Sequence, residues 1–403
     1  MQLKNIKTIF AKELKDTLRD RRTLIFMLVV PIVAMPLLMT GISRLMISQV
    51  KKIEAQVSSL VVQNVQELPG DLQDTLRTSS QFKLIDETVY GDKALDSLKS
   101  GALDLVMVVP PNFRSAIELE SPTDVEIYYD KADDMSNAAE DKLTALLKRY
   151  KDRTIAARLV KRNISTELLT PFEEVRNSIA SPQKLAGQTF GRMLPYFFIL
   201  MCFLGAMYPA IDLCVGEKER GTLETLLVAP ATRGEFVLGK YGVILLAGMV
   251  AGLLCMVSMT YSLNNMMVGM GDMAAAMPKI EVNLSMIALI LMIVIPLAGI
   301  FAAILLSVSI FAKSAKEAQG YMGFLNMFLI FPAFISFLPG VELNWTLSVI
   351  PVMNTSLIVR DAIAGEVHWQ FIITAFVSTF VLASLALWFA KTWFEREEVL
   401  FRM

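Results

Sequence analysis

Six segments of the chain consist almost entirely of hydrophobic residues, and each is long enough to cross a membrane as a helix. About 20 apolar residues suffice, because a helix rises about 1.5 Å per residue and the hydrocarbon core is about 30 Å thick. The segments are residues 24–46, 192–213, 236–264, 284–312, 319–338 and 369–391. The pattern therefore predicts an α-helical polytopic membrane protein with six transmembrane helices, which we call spans one to six.

The stretch between the first two spans, residues 47–190, has a different pattern. It is rich in charged residues and is interrupted by turn-forming residues. Short runs of Val, Ile and Tyr predict strands, and leucine spacing predicts helices. The predicted strands are 82–85, 104–109 and 125–129, and the predicted helices are 93–100 and 134 to about 175. We therefore expect a small α/β domain here, carried on helices that extend spans one and two.

Lysine and arginine are distributed unevenly among the segments that connect the spans. Basic residues concentrate on the cytoplasmic side of a membrane protein, although long translocated domains do not follow this rule. Sixteen Lys and Arg lie in the two terminal tails, in the 2–3 and 4–5 connections or in the span ends beside them, whereas the opposite short segments hold two, Lys279 and Arg360. The sequence predicts a multi-pass cell membrane protein with both termini cytoplasmic and the 47–190 domain extracytoplasmic.

The tail that precedes span one, residues 1–23, has an amphipathic pattern. Apolar residues recur every three or four positions, at Leu3, Ile6, Phe10, Leu14 and Leu18. Basic residues occupy much of the remaining surface. This pattern is typical of a helix that lies in the membrane interface with its apolar face towards lipid. The alternative is a solvated helix packed on a protein partner.

The composition excludes several classes of function. Hydrophobic residues make up 54% of the chain and the net charge is −1, which gives no basic field for binding nucleic acid. The three cysteines cannot form a disulfide framework, and His368 is the single histidine. We therefore predict no metal site and no catalytic residues. A membrane-embedded hydrolase using Asp133, Asp134 and His368 would require residues from distant parts of the chain to meet.

The connection between spans two and three is more structured than a polar turn. Residues 217–227 alternate charged residues with Leu223, Leu226 and Leu227, and Pro230 ends the pattern. Such spacing predicts a short cytoplasmic amphipathic helix within 214–230 that docks into a groove of another protein. A solvated loop is the alternative, but it gives no reason for the leucines.

Two pieces of this connection, EKERGTLETLLVAP and RGEFVLGK, resemble the signature of ABC-2-type permeases, the membrane subunits of one class of ATP-binding-cassette exporters. The basic N-terminal helix, the external domain containing ALDSLKSGALDLVMVVPPNF and the segment IPVMNTSLIVRDAIAGE agree with it. The arrangement is most similar to the sodium-efflux permease (NatB-like) group. The resemblance implies ATP-driven export, with Na⁺ as an expected cargo. It also implies that coupling to the ATPase rests on Glu217, Glu219, Arg220, Gly221, Thr222, Leu223, Glu224 and Leu226.

The resemblance implies partners as well. They are a cytoplasmic ABC ATPase subunit in two copies, a second copy of this chain or a similar permease, and membrane lipid. ATP and Mg²⁺ would bind the ATPase, and no cofactor is expected on this chain. Residues 234–240, GEFVLGK, match a phosphate-loop pattern, but Tyr241 stands where Ser or Thr would hold Mg²⁺. We therefore expect that the chain is not an enzyme.

A transport path would use polar groups at membrane depth, because such groups are the default candidates for contact with an ion or substrate. The candidates are Asp212, Asn326, Ser307 and Ser309. Segment 341–368 is too apolar for a plain external loop, so two helical pieces broken at Pro351 are expected to form a re-entrant cap over the path. An ordinary surface segment is the alternative. The Gly248 and Gly252 pair permits close helix approach.

Two alternatives to sodium export remain open. An amphiphilic drug, lipid or peptide fits the scarcity of charge within the spans as well as Na⁺ does. A membrane-anchored sensor with an external ligand-binding domain also fits the sequence, and it predicts that no ATPase copurifies.

Overall fold

Within the residues that the structure describes, six helices are long and apolar enough to cross a membrane, and each corresponds to one of the predicted spans. Their bounds are Arg21–Ala55, Leu194–Glu219, Arg233–Asn265, Ser285–Phe311, Ala315–Phe337 and Trp369–Phe394. Span one continues as a helix through the charged residues Lys51 and Lys52, as the predicted extension of this span requires.

The computed structural model describes residues 2–85, 93–165, 172, 181–222, 230–269 and 284–394. The chain divides into a helical unit, Met1–Ile42 with Ser178–Met403, and a sheet unit, Ser43–Asn177. Besides the spans, the described helices are α1 Leu3–Thr17, α2 Gly70–Thr78, α3 Ala94–Lys99, α4 Phe113–Glu118, α5 Asp134–Lys161, α6 Pro182–Thr189, α7 Trp345–Val349 and α8 Met353–Ile363. Short 3-10 turns occupy Val65–Glu67 and Phe334–Phe337.

Spans two and four lie mostly buried in the helical unit, whereas spans one, five and six expose most of their apolar surface. Span two packs closely against span three, where Gly248 and Gly252 face Cys202 and Phe198. A Cβ atom at Gly248 would lie 2.7 Å from the carbonyl oxygen of Cys202. The close approach predicted for this glycine pair is confirmed, and its neighbour is span two of the same chain.

Span one begins with an irregular helix. Asp20 caps it by accepting hydrogen bonds from the backbone N–H groups of Arg22 (3.3 Å) and Thr23 (2.9 Å). A π-helix, Ile25–Ala34, follows and contains Pro31. Proline has no N–H to donate, and its ring disturbs the helical hydrogen-bond ladder. The hydroxyl of Ser258 in span three donates to the Pro31 carbonyl at 2.6 Å, which ties the two spans together.

In the described part of the sheet unit, four strands form the sheet: β1 Ser58–Gln63, β2 Phe82–Ile85, β3 Leu105–Val108 and β4 Glu126–Tyr128. Their order is β2–β1–β3–β4, with β1 parallel to β2 and β3, and β4 antiparallel to β3. The register pairs Leu60 of β1 with Leu84 and Leu105. Successive side chains of a strand point to opposite faces. Leu60 therefore joins one core cluster and Val61 joins a second.

The α/β pattern predicted for this stretch is present, with two differences in detail. Strands β2, β3 and β4 and helix α3 agree with the prediction to within a residue at each end. Strand β1 is not predicted by the sequence pattern. The helix predicted to reach about 175 ends at Lys161, because Asn163 adopts a positive φ of 53°. Residues 166–171 and 173–180 lie outside the described part of the chain.

Segment 341–368 contains α7 and α8, separated at Pro351, so the two predicted helical pieces are confirmed. The break is strained, because the β-branched Val352 has a φ of 70°. The side-chain amide of Asn354 holds the two pieces together by donating to the Ser348 carbonyl at 3.1 Å. It also reaches span six through the Thr379 hydroxyl at 3.0 Å. The position of this segment in a membrane stays a prediction.

Candidate functional site

The helix of span two ends in an unusual way. A π-helical stretch, Asp212–Gly216, is followed by one α-helical turn, Glu217–Glu219. Gly221 then has a φ of 69°, a conformation that glycine adopts without steric cost. Its N–H donates to the Lys218 carbonyl and the Thr222 N–H donates to the Glu217 carbonyl, both at 3.1 Å. This is a Schellman motif, which terminates a helix.

A single unbroken helix from Glu217 to Leu227 is excluded, because the left-handed backbone at Gly221 ends the helical turn. The short amphipathic helix expected within 214–230 stays a prediction, since residues 223–229 lie outside the described part of the chain. Periodic charge and leucine spacing continue across this position in the sequence, but the glycine conformation overrides them. Of the residues predicted to couple to the ATPase, Leu223, Glu224 and Leu226 lie outside the described residues. Glu217, Glu219, Arg220, Gly221 and Thr222 are described.

A buried ionic cluster lies beside this turn. The Nζ atom of Lys240, in span three, lies 2.6 Å from the Glu217 carboxylate and 3.8 Å from that of Glu13, in α1. The side chains of Lys240 and Glu13 are 2% and 3% exposed. Lys240 also donates to the Leu213 carbonyl. A buried charge is tolerated only when it is paired and hydrogen-bonded, and both conditions are met here.

The cluster extends to the surface through Lys12. Its Nζ atom lies 3.1 Å from Glu13, 3.8 Å from Asp16 and 3.9 Å from Glu217, and its side chain is half exposed. Two cations thus share the carboxylates of Glu13 and Glu217. The cluster connects α1, the end of span two and the start of span three.

The next three residues contact three further places. Lys218 donates to the carbonyls of Ile310 and Ala312, which stand at the C-terminal end of span four, where a cation is favourable. The carboxylate of Glu219 accepts a hydrogen bond at 2.8 Å from the backbone N–H of Ala315, the first helical residue of span five. The guanidinium of Arg220 returns to span two and pairs with Asp212 at 2.8 Å.

Helix α1 is fastened to span three at its other end. Thr232 and Glu235 form a reciprocal N-terminal cap of span three, with the Thr232 N–H donating to the Glu235 carboxylate at 3.0 Å. The same carboxylate accepts from the Gln2 N–H at 2.5 Å and from the Asn5 amide at 3.1 Å. A Cβ atom at Gly239 would lie 2.5 Å from Ile9, so the glycine lets α1 approach closely.

This packing changes the interpretation of the N-terminal stripe. The residues of α1 that are buried are Ile9, Glu13 and Thr17, whereas Leu3 and Leu18 remain exposed. The buried face is thus rotated from the predicted stripe, because Glu13 finds cationic partners inside the unit. Helix α1 packs on span three of its own chain, and its contact with lipid stays a prediction. The phosphate-loop-like sequence is accounted for too, since Lys240 is buried in the cluster.

A cleft of about 490 Å³ opens between α1 and the 212–222 segment. Charged side chains form much of its wall, among them Lys12, Asp16, Asp212 and Arg220. Residues of the ionic cluster also line the cleft, so the cluster can be reached from the surface of the helical unit. Ile9, Leu213 and Phe236 complete the wall, so the cleft presents both charged and apolar groups.

The four residues predicted for a transport path do not share one described cavity. Asp212 lines the charged cleft and pairs with Arg220. Ser307 lines a separate apolar cavity of about 440 Å³ between spans four, five and six, walled by Phe311, Phe324, Phe389 and Trp393. The Ser309 hydroxyl and the Asn326 side-chain oxygen are buried and have no hydrogen-bond partner within the part of the chain that the structure describes.

Comparison with known proteins decides the family. Residues 21–390 match the family model described as ABC-2 family transporter protein. The chain belongs to the ABC-2 transporter family. It is also 24% identical over 393 residues to the ABC transporter permease protein NatB of Bacillus subtilis (strain 168), which covers 97% of this chain and 98% of the relative. The resemblance predicted from the sequence is confirmed. As an ABC-2 permease, the chain is a membrane transport subunit and is not itself catalytic.

The sequence pattern of this ABC-2 permease gives no direct sign of the ionic cluster. Glu217 is predicted as a coupling residue, but Glu13 and Lys240 are not. A usable signal exists, because Lys240 is a lysine within an otherwise apolar span, and such a residue requires a partner. The identity of the partner depends on packing between α1 and span three, which local sequence does not specify.

Proposed function

We propose that this chain is the permease subunit of an ATP-driven exporter in the cell membrane, with both termini in the cytoplasm. A cytoplasmic ABC ATPase in two copies binds ATP and Mg²⁺, and two permease chains, identical or similar, form the path. Membership of the ABC-2 family and the similarity to a Bacillus ABC transporter permease support this proposal.

The observation that carries the coupling step is the contact pattern of residues 217–220. These four consecutive residues bind α1, the start of span three, the end of span four, the start of span five and the helix of span two. A displacement of this short segment therefore reaches all of these elements together. We assign the coupling role to Glu217, Glu219, Arg220, Gly221 and Thr222, continuing into Leu223, Glu224 and Leu226, with the charged cleft as the place where the ATPase engages.

Substitution within the segment tests this assignment. Arg220→Glu places a second carboxylate beside that of Asp212, and Gly221→Pro forbids the left-handed backbone that ends the turn. We expect both variants to insert and to bind the ATPase while ATP hydrolysis no longer drives export. Lys7→Glu, at an exposed basic residue of α1, is the matched control. Unchanged export per ATP hydrolysed in both variants would contradict the assignment.

The ATPase itself is tested by affinity purification of the tagged chain from its native cells in mild detergent. We expect a stoichiometric soluble subunit that contains a phosphate loop and hydrolyses ATP. Recovery of the chain without any ATPase would favour the membrane-anchored sensor, and the sheet unit would then become the place to look for a ligand.

We propose Na⁺ as the cargo, on the similarity to the sodium-efflux group. A second cargo class, an amphiphile with an aromatic or aliphatic body, is favoured by the apolar cavity of about 440 Å³ between spans four, five and six. Proteoliposomes containing the permease and its ATPase separate the two. ATP-dependent movement of ²²Na⁺ supports the first, whereas amphiphile efflux that Phe324→Ala weakens, without Na⁺ movement, supports the second.

A further inference from the structure

The second half of α5, in the sheet unit, carries a concentration of positive charge that the proposed function does not use. Between residues 148 and 162 there are seven Lys and Arg and one acidic residue, Asp152. The sheet unit as a whole is acidic, with 22 Asp and Glu against 18 Lys and Arg. Seven of the 18 basic residues of this acidic unit are therefore concentrated in the second half of one helix.

These basic residues are available to a partner. Tyr150 and Leu147 lie on the side of α5 that packs against the sheet core. Arg149, Arg153 and Val160 are four and seven residues apart, which places them together on one side of the helix, about a quarter turn from the packed side. Arg149 and Arg153 are exposed, and neither forms an ion pair with another residue that the structure describes.

An exposed aliphatic residue lies at the end of this basic surface. Val160, in the last turn of α5, is 70% exposed and shares the side of the helix that carries Arg149 and Arg153. Arg158 and Arg162 lie on the opposite side, where they contact the loop after α4 through the Ile117 carbonyl and Glu120. The exposed surface is therefore formed by two arginines and one aliphatic side chain.

We propose that this basic-apolar patch (Arg149, Arg153 and Val160) docks on the headgroups of anionic membrane lipids. Basic side chains are attracted to an anionic lipid surface, and aliphatic side chains among them enter the boundary between headgroups and acyl chains. The sheet unit lies between spans one and two in the chain, so the membrane is always present at high effective concentration. A weak patch is sufficient under that condition.

The test uses the full-length chain in nanodiscs, with a cysteine at position 160 carrying an environment-sensitive fluorophore. Val160→Cys is exposed, whereas the native Cys202, Cys214 and Cys255 are buried and react more slowly. Ser80→Cys, at an exposed residue between α2 and β2, is the matched control. Iodide in the water and a doxyl group on the lipid serve as quenchers. The lipids are phosphatidylcholine alone or mixed with phosphatidylglycerol.

In nanodiscs that contain phosphatidylglycerol, we expect the label at 160 to be quenched by the lipid-borne doxyl group and shielded from iodide, unlike the label at 80. Neutralising either arginine as Arg149→Gln or Arg153→Gln is expected to lower the docked-to-free ratio about fivefold. Equal iodide access at 160 and 80 would overturn the proposal. Doxyl quenching of the label at 160 that is as strong in pure phosphatidylcholine as in the mixture would also overturn it. So would shielding of this label from iodide without doxyl quenching, which would indicate a protein partner. Because the readout needs no ATPase, its failure leaves the proposed transport function untouched.

Discussion

Replacement of Lys240 by methionine is the sharpest test of the ionic cluster. The change keeps an unbranched side chain, one heavy atom shorter, and removes its charge, so Glu217 and Glu13 lose a buried cation at 2.6 and 3.8 Å. At an effective dielectric constant of about 20, the attraction across the shorter distance is about 6 kcal/mol. The desolvation of the ions offsets part of it. Removing one partner of a buried pair costs about 3–5 kcal/mol, because the other charge stays buried and uncompensated.

Thermal unfolding of the detergent-solubilised chain measures this cost. At about 2–4 °C per kcal/mol, we expect Lys240→Met to lower the unfolding midpoint by roughly 6–20 °C. The double variant Lys240→Met with Glu217→Gln is expected to recover much of that loss, because it leaves fewer unpaired buried charges. Lys316→Met, at an exposed lysine, is the control and is expected to change stability by less than about 0.5 kcal/mol. A Lys240→Met chain as stable as the unmodified one would refute the electrostatic role of the cluster.

Two further predictions concern packing and capping. Gly248→Ala forces a Cβ atom to 2.7 Å from a backbone carbonyl oxygen and is expected to cost about 1–3 kcal/mol in the free energy of unfolding. The control is Gly323→Ala, whose Cβ atom meets no atom within 4 Å and which is expected to be neutral or slightly stabilising. Equal unfolding midpoints for the two variants would contradict the close packing. Partial burial of Asp20 acts to raise its pKa, but hydrogen bonds from Thr23 and Arg22 bring the pKa below the ordinary value of 3.8. The charged cap therefore contributes stability above pH 3.8 that is lost as the pH falls through the lowered pKa. The free energy of opening of the first turn of span one, measured by hydrogen exchange, should fall over that range. Near neutral pH it should be about 1 kcal/mol lower in Asp20→Ala than in the unmodified chain. In Asp20→Asn it should show no such pH dependence.

The spans and most strands could be predicted from the sequence because each depends on a local pattern. A long apolar run predicts a span wherever it lies, and the short Val-rich and Ile-rich runs predict β2, β3 and β4. Strand β1 is central in the sheet, so its apolar residues Leu60, Val61 and Val62 do not alternate with polar ones. Such a run cannot be distinguished from the continuation of a helix by periodicity alone.

The candidate site could be predicted from the sequence only in part, because its contacts are not local in the chain. The resemblance to ABC-2 permeases pointed to residues 217–222, and the structure gives most of these residues specific contacts. Their partners are far away in the chain: Lys240 and Glu13 are side chains of other helices, and Ile310 and Ala315 contribute backbone groups. Backbone groups at helix ends carry no residue-type signal, so their use could not be inferred without the fold.

The four consecutive contacts of residues 217–220 make the length of this segment matter more than any one side chain in it. A helix turns by about 100° per residue. One inserted residue would therefore rotate every later side chain away from its partner at the same time, whereas a substitution breaks a single link. A point substitution is therefore expected to leave the other contacts of the segment in place, whereas an insertion or deletion loses most of them, so its spacing is the property under the strictest constraint.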